Sequence, residues 1–93
     1  MRAIWQDDVL AESDRTILVE GVHYFPPESI RPEYFTPSDT RTICPWKGEA
    51  AYYSVTVGEN VQRDAAWTYP DPLPRARHFK DYMAFWRGIQ VVE

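Results

Sequence analysis

The chain has 93 residues, an apolar fraction of 44% and a formal charge of −4, which fits one small globular domain and excludes a disordered segment. Acids and bases are interspersed rather than gathered into a basic stripe, so no nucleic-acid partner is expected. No membrane partner is expected either: no run approaches the ~20 apolar residues of a spanning helix, and the first residues lack a signal peptide's apolar segment.

The chain opens with short β-prone runs at Ile4-Trp5, Val9-Leu10-Ala11 and Thr16-Ile17-Leu18-Val19, separated by turns at Asp7-Asp8 and Ser13-Asp14. Gly21 ends the third run and Tyr24-Phe25 resumes an extended path. Pro26-Pro27 stops it, because proline cannot donate to a strand ladder, and Pro27 to Ile30 is predicted to form one turn of helix. Pro32 and Pro37 keep that helix short, and the polar run Ser38 to Thr42 reads as a loop. The clearest strand is Ala50 to Val57, with Ala51, Tyr53, Val55 and Val57 on one face and Tyr52, Ser54 and Thr56 on the other. Gly58-Glu59-Asn60 turns the chain and Val61 to Tyr69 returns, a β-hairpin. Pro70, Pro72 and Pro74 then form a rigid connector. Phe79, Tyr82, Met83 and Phe85-Trp86 stand near helical spacing, so Arg75 to Phe85 is predicted as a helix of two turns with this stripe in the core. Gly88 breaks it, and Ile89 to Val92 reads as a closing strand. The sum is a single mainly β domain over 1–93: about seven short antiparallel strands and two short helices in a compact tent- or barrel-like arrangement.

Four Trp, six Tyr and four Phe are more aromatics than so small a core needs, so some are expected to line a surface. Thr42-Ile43-Cys44-Pro45-Trp46-Lys47-Gly48 places a hydroxyl, a thiol, an indole and an ammonium within a few residues. Strand alternation would turn Thr42, Cys44 and Trp46 one way and Arg41, Ile43 and Lys47 the other. The hairpin supplies a second group, with Ala65, Trp67 and Tyr69 on one face. The leading expectation is a small-molecule-binding surface of Trp46, Trp67 and Tyr69, bordered by Tyr24, Tyr52, Thr42 and Lys47. Stacking or cation–π contact there would suit a planar or cationic ligand. Arg41 and Lys47 are candidates to hold an anionic group. For catalysis the weaker candidates are Cys44 as a thiol, with Lys47 the nearest cation, and Asp64 paired with Asp39. A third possibility is a protein-interaction module using the same exposed aromatics. His23 and His78 lack metal-ligand spacing, and the residues require no metal or cofactor. The lone cysteine, Cys44, excludes an internal disulfide and a multi-cysteine zinc site, and points to a reducing cytoplasm. The ligand's identity and the choice between monomer and homo-oligomer are left open.

Val19-Glu20-Gly21 with His23-Tyr24-Phe25-Pro26, the Cys44-Pro45-Trp46-Lys47-Gly48 string, Tyr52-Tyr53, Ala66-Trp67 with Tyr69-Pro70, and Ala84-Phe85-Trp86 together carry a resemblance over nearly the whole chain. They resemble the family of domain of unknown function 427 (DUF427), also labelled a nucleotidyltransferase domain. The resemblance implies a β-tent-like fold and, through the label, nucleotidyl transfer. Relatives of that fold often join two sheets through a four-cysteine zinc site, which one cysteine cannot build.

Overall fold

The computed structural model describes all residues from Met1 to Glu93. Nine strands follow in chain order: β1 (Arg2–Trp5), β2 (Asp8–Glu12), β3 (Ile17–Val19), β4 (Val22–Tyr24), β5 (Phe35–Cys44), β6 (Gly48–Val57), β7 (Asn60–Thr68), β8 (Met83–Phe85) and β9 (Gln90–Val92). They form three antiparallel sheets, β2-β1-β9, β3-β4 and β5-β6-β7-β8. Tight turns explain the early hairpins. Gln6-Asp7 and Glu20-Gly21 each place two successive residues at positive φ, the backbone twist that a two-residue hairpin loop requires. Between β6 and β7 the turn is Gly58-Glu59, with glycine at φ 58° where a non-glycine residue would be disfavoured.

The four-stranded sheet carries a core on each face, and strand alternation assigns the residues of β6 to their sides. Tyr53, Val55 and Val57 of β6, with Met83 and Phe85 of β8, pack towards Ala3, Leu10 and Ala11 of the β2-β1-β9 sheet. Ala50 and Tyr52 of β6, with Ala84 of β8, pack on the other side against Val19, Tyr24 and the fully buried Phe79. Tyr24 and Phe25 divide in the same way, one to each core. Phe25 also exchanges two backbone hydrogen bonds with Met83, at 2.7 and 2.9 Å, which docks the β3-β4 hairpin on the β8 edge of the large sheet.

Three expectations are corrected. Ser38 to Thr42 is not a loop but part of β5, with a bulge in place of the connection. Arg75 to Phe85 is not a two-turn helix: a 3₁₀ helix covers Pro74–Phe79, and Met83–Phe85 is a strand. The apolar stripe is split between that 3₁₀ helix and β8, so Phe79, Met83 and Phe85 are buried, while Trp86, expected in the core with them, is 43% exposed. The other helical segments are single 3₁₀ turns at Pro27–Ser29 and Pro32–Tyr34, each started by a proline whose missing N–H is no loss at a helix start. No helix is long and apolar enough to cross a membrane.

Two bulges flank the central strand β6. On β5, Pro37 pairs with Tyr53 and Arg41 with Ala51, so Ser38, Asp39 and Thr40 occupy a stretch that β6 spans with one residue. On β7, Ala66 pairs with Tyr53 and Gln62 with Val55, so Arg63, Asp64 and Ala65 likewise lie opposite a single residue of β6. Asp64 takes φ 52°, a conformation that aspartate tolerates better than most residues. The second bulge resets the alternation of β7. Ala65 therefore joins the first core instead of sharing a face with Trp67 and Tyr69.

Candidate functional site

On the face of the large sheet that carries the second core, three aromatic side chains from distant segments meet. Tyr52 of β6 lies 6.3 Å from Trp67 of β7 and 6.4 Å from Trp86, which follows β8. Trp67 and Trp86 are 5.6 Å apart at 76°, an edge-to-face pair. Trp67 sits there because it pairs across the ladder with Tyr52 on one side and Ala84 on the other. Beneath it, Trp67 Nε1 donates to the hydroxyl of the buried Tyr24 at 3.2 Å. At the outer rim the Thr42 and Tyr52 hydroxyls share a hydrogen bond of 3.0 Å. Arg87 stacks its guanidinium 4.7 Å from the Trp86 ring centre.

A second group forms around the three-residue turn Pro45-Trp46-Lys47, which joins β5 to β6. Lys47 was expected to face away from Trp46, but the turn breaks strand parity and brings it back. Its ammonium lies 5.5 Å from the Trp46 ring centre and 5.6 Å from that of Tyr69, and pairs with Glu20 at 2.5 Å. Partial burial of the ammonium pulls the Lys47 pKa down, but the Glu20 hydrogen bond and neighbouring phenols outweigh it, and the net shift is upward. The same hydrogen bond and charge hold the Glu20 carboxyl below its ordinary value. Cys44 is half-buried against this group as a free thiol.

The sequence candidates therefore divide. Tyr24, Thr42, Tyr52 and Trp67 come together around the exposed Trp86. Trp46 and Lys47 stand apart, linked to them through the Tyr24–Phe79 pair, since Trp46 touches Phe79 at 6.2 Å and Tyr24 touches Phe79 at 5.0 Å. Tyr69 is only 5% exposed and packs on Phe79 at 6.0 Å, so it supports the site from inside. Arg41 turns back on its own strand and donates to the carbonyls of Ser38 and Thr40, both at 2.8 Å. Trp86 was missed because its stripe read as a buried helix face.

Burial pushes the Tyr69 phenol up to about 12, against a smaller downward pull from Lys47. The fold thus favours the neutral phenol. Stability is intact below the ordinary value of 10.0 and is lost as pH rises from there towards about 12. Over that window each pH unit should remove about 1.4 kcal/mol on account of this group. Tyr69→Phe should flatten that alkaline loss in urea-unfolding series at stepped pH. An unchanged slope in the variant would refute the assignment.

Next to the aromatic face the two bulges enclose a polar cleft of about 490 Å³ lined by Ser38, Asp39, Thr40, Ser54, Arg63 and Asp64, together with Pro37. Thr40 Oγ1 donates to Asp64 Oδ2 at 2.7 Å, bridging the bulges across β6, and Asp64 N donates to Ser54 Oγ at 3.3 Å. Ser38 Oγ accepts from Thr40 N at 3.1 Å, which leaves its own proton free to face Asp64. The hydroxyls of Ser38 and Thr40, with Arg87 and Arg63 nearby, hold the Asp64 carboxyl below its usual range. Cleft and aromatic face adjoin, because Trp86 Nε1 donates to the Asp64 carbonyl at 2.5 Å. Asp39 and Asp64 thus share one cleft, although no three His, Cys, Asp or Glu side chains gather to hold a metal ion. A second cavity of about 430 Å³ lies around Ile30, Phe35, Tyr53 and Met83, and Pro37 lines both it and the polar cleft.

Fold and surface define a small all-β domain with an aromatic face beside a carboxylate-bearing cleft. The chain belongs to the family described as domain of unknown function (DUF427), whose match covers residues 1–93. No curated protein matches it.

Proposed function

We propose that the aromatic face of β6, β7 and the segment after β8 binds a small molecule through a planar ring held against Tyr52, Trp67 and Trp86. One observation carries this reading. Three large aromatic side chains converge with their rings 5.6–6.4 Å apart, yet the outermost, Trp86, keeps 43% of its surface in water. Burial of one such ring removes roughly 150–250 Å² of surface from water, so leaving it open forfeits stabilisation that a stacked ligand would restore. Trp67 and Trp86 are further fixed by hydrogen bonds from their indole nitrogens, so little rotamer freedom remains to be lost on binding. The single thiol, Cys44, supports a reducing, cytoplasmic setting for this activity.

Thermal unfolding with indole, benzyl alcohol and benzamide as probes tests the reading. A binding probe at ~100 times its dissociation constant should add about 2.7 kcal/mol of stability. Trp67→Ala should abolish the effect and Cys44→Ser should leave it intact. Stabilisation that survives Trp67→Ala, or vanishes in Cys44→Ser, would contradict the proposal.

A further inference from the structure

We infer that the ligand of this face has two parts, a planar ring against Trp67 and Trp86 and a neutral polyhydroxylated group that enters the cleft between the two bulges. This rests on the ring-binding reading above and adds the chemistry of the second part. Tyr52 and Ser54 are two residues apart on the same face of β6, so roughly 7 Å of strand separates the aromatic face from the cleft. That is the span of a single linkage between a ring and a sugar-sized substituent. The cleft's volume, about 490 Å³, lies within the roughly 300–1,000 Å³ of small-molecule sites.

Charge selects among the possible substituents. Asp39 and Asp64 in the cleft are balanced by Arg63 there and Arg87 beside it, so no net positive charge favours a phosphate or carboxylate group. An ammonium is disfavoured too: next to Asp64 it would meet Arg63 and Arg87, and Arg87 already stacks on the Trp86 ring. Hydroxyl groups fit both kinds of neighbour, because each can donate to a carboxylate and accept from a guanidinium or another hydroxyl. The Asp64 carboxylate offers about four lone-pair positions, and the Thr40 and Ser38 hydroxyls take two of them. Apart from Pro37, every side chain that lines the cleft carries a hydrogen-bonding group, so an apolar substituent would strand polar groups out of water.

The test compares phenyl glucoside and phenyl galactoside with benzyl alcohol, benzylamine and phenyl phosphate, by titration calorimetry and by the indole NMR signals of Trp67 and Trp86. At least one phenyl glycoside should bind about tenfold or more tightly than benzyl alcohol, the gain expected of a charge-assisted hydrogen bond. Asp64→Asn, which keeps both the shape and the tolerance of positive φ, should erase this advantage while the benzyl alcohol affinity stays the same. Asp39→Asn leaves β7 untouched and should also reduce the advantage, so the inference remains testable if the Asp64 variant does not fold. Equal affinity for the glycosides and benzyl alcohol would overturn the two-part ligand and leave ring binding standing. A larger gain for benzylamine or phenyl phosphate would overturn the choice of a neutral substituent. If no ring-bearing probe moves either indole signal, the ring-binding reading itself fails.

Discussion

Phe79→Ala should remove about 3–5 kcal/mol of folding stability, the range for deleting a fully buried phenylalanine. Phe79 has no exposed surface and its ring touches Tyr24 at 5.0 Å, Tyr69 at 6.0 Å, Trp46 at 6.2 Å and the neighbouring His78 at 5.0 Å. Tyr24 in turn anchors Trp67 through its hydroxyl. The void would therefore open under the aromatic face, and probe binding should weaken together with stability. Domains of this size hold roughly 0.05–0.15 kcal/mol per residue, so the loss takes a large share of the total. Equilibrium urea unfolding measures it. A loss below about 1 kcal/mol would mean that the second core closes over the gap or that Phe79 is not its centre.

Gly48→Val should be the next most damaging change, at about 3 kcal/mol, combining backbone strain with overpacking. Gly48 pairs with Cys44 at the base of the hairpin and holds φ 112°, outside the range that residues with a side chain normally occupy. A β-carbon there would lie 3.3 Å from Leu73 N and 3.4 Å from the Asp71 carbonyl oxygen. Those are backbone atoms, and Leu73 N donates to the Lys47 carbonyl at 2.9 Å, so they cannot move aside cheaply. The glycine of the Cys-Pro-Trp-Lys-Gly string thus fastens the Pro70–Pro74 connector to the turn. The expected result is a lowered urea midpoint. Gly58→Ala serves as the comparison, because a β-carbon at Gly58 meets nothing within 4 Å although its φ is also positive. Equal losses at the two positions would show that conformation alone, not the close approach of the connector, explains Gly48.

The mainly β class and the β6–β7 hairpin were legible in the sequence because the chain alternates cleanly from Ala50 to Val57 and turns at a glycine. The faces assigned to Tyr53, Val55 and Tyr52 follow from the same period of two. The bulges were not legible. Ser38-Asp39-Thr40 has the composition of a loop, and in Arg63-Asp64-Ala65 an aspartate's tolerance of positive φ is too weak a signal to place a bulge. Asp39 and Asp64 could be named as a pair, but what brings them to one cleft is the level at which each strand slips past β6. Trp86 was hidden for a different reason. Phe79, Tyr82, Met83 and Phe85 fit a helical period only because a short turn joins a 3₁₀ helix to a three-residue strand, and short apolar runs do not distinguish the two periods. One signal pointed the right way: Gly88, a turn residue at positive φ, lies two residues beyond Trp86.

In the three-stranded sheet, β1 lies between β2, which follows it immediately, and β9, where Arg2 pairs with Val92. As the chain leaves the ribosome, β1 can zip to β2 at once, but its other edge stays bare until Gln90 to Val92 have been made. Loop closure over that distance is slow, and an unpaired edge can recruit a foreign strand while it waits.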